Sequence, residues 1–521
     1  MRVYAPVVRL LAERGHAVHV AFSQIDRQTG GVALVRKLSS EYPAVTYGTA
    51  TRRRVLDGWT AIAWLVRGLG DLARYAHPRY AQADALRDRM GSKVEGHLRT
   101  SGGFDPLTRR LMLRWTRRLR GRIDSARSDR TIRLTARLER AIPTSRRVKR
   151  FVELYAPDVV LVSPLVDLAS SQLEYLKAAR RLSIRTGICV ASWDNLTGKG
   201  LLRFVPGRVF VWNETQRHEA VELHGVPSER IVTTGAPRFD NWFGRDPTTS
   251  PEEFKRKVGI DPRRPYLLYL CSSAFISPDE VGFVTRWIEA IRAADDPALS
   301  AAGVVVRPYP KHAGQWRAFE TTRFESVSIW PREGAEPDAG EARSDFFDSL
   351  AHSAAVVGAN TSAMIEAAIV GKSVYSVIAP EFAQTNTIHF HYLVHENGGF
   401  LRVASSLDEH VAQLREGFRT AAADAGQTRR FIEAFVRPNG LERGATPIFA
   451  DAVEELAGLA PDPRRDTPGT LALRVALFPL ACAGSITAAG ALAKATLRKR
   501  LSRRRPPAAT KPRTAVRTPV A

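Results

Sequence analysis

The chain is poor in cysteine, in lysine and in long apolar runs, and each shortage excludes something. Only 3 cysteines occur in 521 residues, Cys189, Cys271 and Cys482. They are far apart and make no metal-ligand spacing. A disulfide framework and a cysteine-rich metal module are excluded, and a reducing compartment is expected. No secretory signal is read at the N-terminus, where Arg2 and Arg9 interrupt the apolar residues. No repeat of solenoid period occurs. A single charge-free stretch, the 19 residues 475–493, approaches membrane-spanning length. Pro479, Gly484, Gly490 and many alanines make it a poor inserter. Spanning a bilayer, lying on one, and packing on the protein body all stay open for it.

Acidic residues are scarce in two places. The chain carries 77 Lys+Arg against 53 Asp+Glu, a formal charge of +24, and lysine supplies only 12 of the 77. That arginine-heavy usage fits a high-GC bacterial genome. Residues 109–150 hold 16 basic and 3 acidic residues, and 494–521 hold 10 basic residues and no acid. These two segments contain 23 of the 24 net charges, so the rest of the chain is near neutral. A uniformly basic nucleic-acid coat is excluded, and no stacking module accompanies the arginines. Segment 109–150, with Trp115 among its arginines, is either a helical hairpin on anionic lipid or a solvated insertion. The tail 494–517 is a second candidate for an anionic membrane surface and favours a cytoplasmic C-terminus.

Apolar spacing predicts a helix over 7–14 and a strand over 16–22, the second half of a βαβ unit. The preceding strand and Gly-rich turn are missing, so a longer native chain is expected. Residues 56–150 have helical spacing and read as an insertion. Strands are expected at 158–163, 186–192, 208–212 and 231–234. The polar, Pro-rich stretch 246–265 reads as a linker. Further strands are expected at 266–272, 304–307, 327–330, 355–358, 374–378 and 400–403, and 407–459 reads as helical. The fold class is therefore α/β. Two Rossmann-like, doubly wound parallel-sheet domains, 1–245 and 246–460, face a cleft, and 461–521 adds an apolar helix and basic tail.

The chemistry is expected at strand ends. In "AVVGANTSAMIEAAIVGKSVYSV" (355–377) an apolar strand ends at Gly358, and Asn360, Thr361 and Ser362 open a helix containing Glu366. Small residues and helix amides suit a diphosphate, and Glu366, on the face of Ser362, suits a ribose diol. An ordinary N-cap with an incidental Glu is the alternative. "VVRPYPKH" (305–312) places Arg307, Lys311 and His312 after a strand, where a cationic fork and point charge suit phosphates. A solvated basic loop competes with that reading. "YLCSSAF" (269–275) ends a strand with Ser272 and Ser273, either phosphate ligands or a helix cap. In "ASWDNLTGKG" (191–200), Trp193 offers a flat face for a sugar. Asp194 is the candidate general base and Asn195 its orienting partner, against a simple Asx-turn. "GAPRFD" (235–240) suggests an Arg238–Asp240 pair fixing the hinge or touching phosphate. "IHFHYLVH" (388–395) adds His389 and His391 to the cleft and makes no convincing metal set.

Segment 355–377 resembles the nucleotide-sugar site of GT-B glycosyltransferases, where a small-residue turn meets diphosphate and a helix Glu meets ribose. "RLLAERGHAVHVAF" (9–22) resembles the first helix and second strand of such enzymes. "IVTTGAPRFDNW" (231–242) resembles an element of the bacterial surface-polymer branch, which includes polyglycerol-phosphate and capsule transferases. The resemblance implies an N-terminal acceptor domain and a C-terminal nucleotide-sugar domain. It implies an NDP-sugar donor on Ser272, Ser273, Arg307, Lys311, His312, Asn360, Thr361, Ser362 and Glu366, and a glycan or lipid-linked acceptor near Trp193, Asn195, Arg238, His389 and His391. No obligatory cofactor or metal and no nucleic acid are implied. The expected activity is glycosyl transfer in cell-surface polysaccharide or glycolipid synthesis, in the cytoplasm or at the inner face of the membrane. A CDP-linked glycerol- or polyol-phosphate transferase and a non-catalytic membrane-surface scaffold are the alternatives. Tyr309 stands where these relatives often carry His, and their His-containing loop has no counterpart near 191–200.

Overall fold

The computed structural model describes residues 2–22, 31–100, 104, 106–121, 123–167, 170–337, 340–383, 387–419, 425–462 and 466–503. The expected tail beyond residue 503 lies outside them. Helix α1 (Ala5–Glu13) leads through Gly15, at φ +89°, into β1 (Val18–Phe22). After α2 (Gly31–Glu41) comes β2 (Val45–Thr49), which pairs in parallel with β1. The sequence did not reveal β2, because only Val45 of its five residues is buried and no alternation develops. The expected insertion is helical throughout: α3 (Trp59–Ala76), α4 (Asp84–Thr100), α5 (Pro106–Arg120) and α6 (Ser125–Ala141). Helix α7 (Arg146–Tyr155) buries Val148 and Val152 against the next sheet and rejoins the body.

That sheet runs β3 (Val159–Val162), β4 (Arg185–Cys189), β5 (Arg208–Val211) and β6 (Ile231–Thr233), all parallel and in chain order. Helices α8 (Gln172–Arg181), α9 (Asn195–Gly198) and α10 (Glu214–His224) connect them. Helix α10 shows why its ends fall where they do. The Asn213 side chain caps the Gln216 amide, and Gly225 closes the last turn at φ +64°.

The expected linker is structured. Helix α11 (Pro251–Val258) starts at a capping box of Ser250 and Glu253, and Phe254 and Val258 are buried in the core of the second sheet. The second half continues with β7 (Tyr266–Leu270), α12 (Glu280–Arg292), α13 (Pro297–Ser300), β8 (Gly303–Arg307), β9 (Val327–Ile329), α14 (Gly340–Ala351), β10 (Ala355–Gly358), α15 (Ala363–Ile369), β11 (Val374–Val377) and β12 (Leu401–Ala404). Strands β7, β8, β10 and β11 are buried at every residue, as a parallel sheet covered on both faces requires. Their side chains alternate between two cores: Leu268, Leu270 and Val305 face one, Leu267, Tyr269, Val304 and Val306 the other. The strand order is β12-β11-β10-β7-β8-β9. Numbered from β7, this is the 3-2-1-4-5-6 order of a dinucleotide-binding sheet, and the chain reverses direction across it between β7 and β10.

Four helices follow: α16 (Leu407–Arg419), α17 (Ala425–Phe435), α18 (Ala445–Gly458) and α19 (Pro468–Arg503). Helix α18 crosses back to the first sheet, where Phe449, Val453 and Leu456 pack with Val7, Leu11, Cys189 and Phe210. Gly235, at φ +80°, permits this crossing: a Cβ there would stand 2.8 Å from that of Ala445. Helix α19 docks one face, through Leu477 and Ala481, on Trp59, Ile62, Ala63 and Val66 of α3, while most of the apolar stretch 475–493 stays exposed.

Candidate functional site

The crevice at the reversal point is bounded by the loops after β7 and β10, and a hydrogen bond joins them. The Asn360 backbone N–H donates to Ser272 Oγ at 3.3 Å. The Ser272 amide donates to both carboxylate oxygens of Glu280, at 2.9 and 3.1 Å. Asn360 Nδ2 donates to Thr387 Oγ1 at 3.2 Å. Ser272 and Asn360 are therefore fully buried positioning residues. Ser273 and Thr361 beside them are partly exposed. Ser362 sits at the N-cap of α15, and Glu366 lies one turn further on.

Glu366 is buried, and burial pushes its carboxyl up to about 7, against the pull of Arg238 and Arg343. Arg238 reaches it from the loop after β6, Nη2 to Oε1 at 3.6 Å. The expected Arg238–Asp240 pair does not form. Asp240 instead pairs with Arg437 at 3.0 Å and accepts from the first amides of α18, Ala445 at 3.0 Å and Thr446 at 2.6 Å. The two neighbours on the Pro237–Trp242 turn point to opposite partners, which a hinge built from both sheets needs.

The loop 191–200 meets the crevice from the first sheet. Trp193 is buried. Its Nε1–H donates to Ser362 Oγ at 3.1 Å, and its ring packs edge-to-face on His389 at 4.6 Å. The open face expected for a sugar is thus spent on the seam between the sheets. Asn195 accepts from the Ala191 amide at 3.1 Å and donates to Asp194 Oδ1 at 3.2 Å, which closes the turn, as the Asx-turn alternative also requires. Burial raises the Asp194 pKa, but Lys199 at 3.7 Å, His389 and a Ser192 hydrogen bond outweigh it and hold the carboxyl below its ordinary value. It is ionised near neutrality, and its basicity is reduced by the same partners. His389 Nδ1 shares a 2.9 Å hydrogen bond with Thr197 Oγ1, and burial holds its pKa down at about 4, so the ring is neutral at pH 7.

The insertion holds this loop from below. Arg74 on α3 donates to the carbonyls of Lys199 at 3.0 Å and Gly200 at 3.2 Å, and to the Tyr80 hydroxyl at 2.6 Å. Helix α3, ahead of the basic segment 109–150, therefore buttresses the candidate site.

Other expected residues stand apart. Arg307 ends β8, and its Nη1 and Nη2 are buried without a hydrogen-bond partner among the described residues. It is buried, its Nη1 lies 3.0 Å from Asp345, and its guanidinium stacks on Phe346 at 4.9 Å. Lys311 is exposed on the turn after β8 with no partner among the described residues, and His312 Nε2 donates to the Pro278 carbonyl at 3.1 Å. His391 is exposed against Tyr392, at 4.2 Å. Among the described residues no group of three His, Cys, Asp or Glu stands close enough to hold a metal ion. Sequence reasoning passed over Thr197, Thr387, Glu280 and Glu219. The last, on α10, is buried and rises to about 8, chiefly through burial and against a Tyr392 hydrogen bond. Nothing in its helix, ETQRHEAVELH, distinguishes it from a solvated Glu.

No known protein family matches the chain, and no curated protein matches it. Solved structures do. UDP-GlcNAc 2-epimerase from Methanocaldococcus jannaschii is 13% identical, with 62% of this chain and 82% of that one covered at a TM-score of 0.37. HepE of Anabaena, in complex with UDP-glucose, is 13% identical over 60% and 82% at 0.36. The wall teichoic acid polymerase TagF is 12% identical over 48% and 58% at 0.34. These are distant likenesses of fold. The described strands are all parallel and form three sheets, β1-β2, β3-β4-β5-β6 and the six-stranded sheet, so the expected α/β class holds, while the expected single N-terminal sheet is split in two and only the C-terminal sheet has the full dinucleotide-binding order.

Proposed function

We propose that the chain is a GT-B glycosyltransferase that takes a nucleotide-diphosphate sugar and transfers the sugar to a cell-surface glycan or glycolipid precursor at the cytoplasmic face of a membrane. One observation carries this reading: Glu366, Ser273 and Thr361 converge where the strand order of a dinucleotide-type sheet reverses, the place where open parallel sheets bind nucleotides. Ribose hydroxyls would donate to Glu366, diphosphate oxygens would meet Ser273, Thr361 and Arg238, and Lys311 would approach from the turn after β8. These cations would stabilise the charge that develops on the leaving diphosphate. Asp194, on the facing loop, is our candidate for the acceptor hydroxyl's base, with Asn195 orienting it.

The test is a thermal-shift panel of UDP, GDP, dTDP and CDP on the wild type and Glu366→Ala. Stabilisation by one of the first three, lost in the variant, supports the sugar-transfer reading. Stabilisation by CDP alone redirects it to a polyol-phosphate transferase. A scaffold with a degenerate crevice is favoured by one specific observation: the Ser272 amide and Ser362 hydroxyl are already engaged by Glu280 and Trp193. No stabilisation by any nucleotide at millimolar concentration would establish that alternative over ours.

A further inference from the structure

Away from the crevice, a cavity of about 330 Å³ opens where α6, α8 and the start of α19 meet. Its wall carries Arg137 and Arg140 from α6, Lys177, Arg180 and Arg181 from α8, and Arg203 and Arg474, against two carboxylates, Glu139 and Asp466. Those carboxylates are shared. Glu139 serves both Arg67, at 2.9 Å, and Lys177, at 3.2 Å. Asp466 serves both Arg181 and Arg474. Arg137 and Arg140 are exposed and have no carboxylate partner among the described residues. Arg180 and Arg203 are paired from outside the wall, with Asp462 and Asp71, so the charge left over is that of Arg137 and Arg140, two guanidinium forks that suit a phosphoryl group. Thr144, Thr467 and Thr470 add hydroxyls, and Ile142, Leu173, Phe204 and Leu473 add an apolar side.

The same cavity is the foot of α19, whose two faces differ. Leu477, Ala481, Ser485 and Ala488 recur on one face. Leu477 and Ala481 pack with α3, and Ser485 Oγ accepts from the Gly58 amide at 2.9 Å. On the other face Leu471, Val475, Phe478, Cys482 and Ile486 recur every three or four residues and are all exposed, Val475 and Ile486 at 73%. This stripe runs about 22 Å along the helix. Over Pro468–Lys494 the helix is long and apolar enough to cross a membrane, but spanning with this face still docked carries a cost. It would draw α3 and α6 into hydrocarbon together with their buried Arg67–Glu139 pair.

We propose that this cavity binds the phosphate of an anionic phospholipid headgroup while the stripe on α19 lies in the acyl boundary, parallel to the membrane plane. The stripe begins at Leu471, beside the cavity residues Thr470 and Leu473, so an anion held there sits at the level of the surface that the stripe enters, and that continuity favours a lipid headgroup over a free anion. The inference deepens the membrane-surface part of the proposed function and rests on it. It does not depend on sugar transfer.

The test is co-sedimentation of the full chain with vesicles of phosphatidylcholine alone and of equimolar phosphatidylcholine and phosphatidylglycerol. Arg137→Glu/Arg140→Glu reverses the two unpaired cavity charges, and Arg114→Glu/Arg118→Glu reverses two exposed charges on α5 as a control. Val475→Asp/Phe478→Asp breaks the stripe, and thermal melts confirm that all three fold. The cavity pair should lose about tenfold more affinity for the anionic vesicles than the α5 pair, and the stripe variant should lose binding to both. Equal losses from the two arginine pairs would show diffuse electrostatics and overturn the pocket while leaving the membrane reading intact. A wild type that binds neither vesicle overturns both. Stabilisation by inorganic phosphate that the cavity variant lacks, with vesicle binding unchanged, would make the pocket a free-anion site and overturn the lipid assignment.

Discussion

Arg238 and Glu366 meet across the seam between the two sheets, with guanidinium Nη2 3.6 Å from carboxylate Oε1. Each comes from a segment that its own sheet fixes: the turn after β6, held by Asp240, and the first turn of α15, held behind Ser362. The contact therefore senses the distance between the sheets. With its carboxyl near 7, Glu366 is divided at neutral pH between an ionised acceptor and a protonated group.

Loss of Arg238 leaves that buried carboxylate without its charge partner. Arg238→Met should cost about 1–3 kcal/mol at pH 8, and Glu366→Gln in the same background should recover most of it. The pH dependence has a definite sign. A folded-state pKa above the ordinary carboxylate value stabilises at low pH and loses that contribution as pH rises through about 7. Glu366→Gln should match the wild type at pH 5 and exceed it by up to about 3 kcal/mol at pH 8. Denaturant unfolding at the two pH values reads this directly, and an advantage confined to pH 5 would have the wrong sign.

Trp193 holds Ser362 through a 3.1 Å hydrogen bond that a diphosphate reaching Ser362 must break. Trp193→Phe keeps an aromatic ring against His389 and removes the donor. Its stability should fall by about 1 kcal/mol, while affinity for the stabilising nucleotide should rise by up to about fivefold, since that bond no longer competes. Calorimetric titration gives both constants. Unchanged affinity would place Ser362 outside the nucleotide's path.

How much of this was legible depended on range. Tyr266–Leu270 and Gly303–Arg307 are short apolar runs, and their length, β-branched or aromatic content and flanking breakers together mark strands buried on both faces. Glu366 was legible because β10, its turn and α15 are contiguous. The linker reading failed on a local signal, the Ser250–Glu253 capping box, that was present and passed over. Arg307 was legible only as a cation at the end of its strand, since Asp345, its ion-pair partner, lies far along the chain. The face of Trp193 was unreadable in the same way, since its partners Ser362 and His389 come from the other sheet.

Asp240 combines two jobs that sequence could not separate. It neutralises Arg437 and caps α18, the helix that crosses back to the first sheet. Asp240→Ala should cost about 3 kcal/mol, the sum of a lost cap and a buried arginine left unpaired. Asp240→Asn keeps an acceptor for the amides and should cost roughly 1 kcal/mol. Hydrogen exchange should show the loss first in residues 445–458. Uniform loss of protection across both sheets would mean that α18 is not a separable unit.

Arg67 sets the strength of the buttress under the Asp194 loop. It donates to both oxygens of Glu139, at 2.9 Å each, and to Glu174 at 3.0 Å, all three groups being buried. Burial raises the Glu174 carboxyl, but Lys177, Arg53 and Arg67 outweigh it and bring it down to about 2. A depressed carboxyl stabilises above its unfolded value and loses that contribution as pH falls toward about 2, so the insertion should be the acid-labile part of the chain. Arg67→Met leaves two carboxylates short of a partner and should cost about 3–5 kcal/mol at neutral pH. It should also loosen α3, and with it Arg74 and the Lys199–Gly200 turn. The triple variant Arg67→Met/Glu139→Gln/Glu174→Gln removes the orphaned charges and should recover most of the melting temperature. If it stays as unstable as Arg67→Met alone, the packing of the arginine, and not the charges it satisfies, is what holds the insertion to the site.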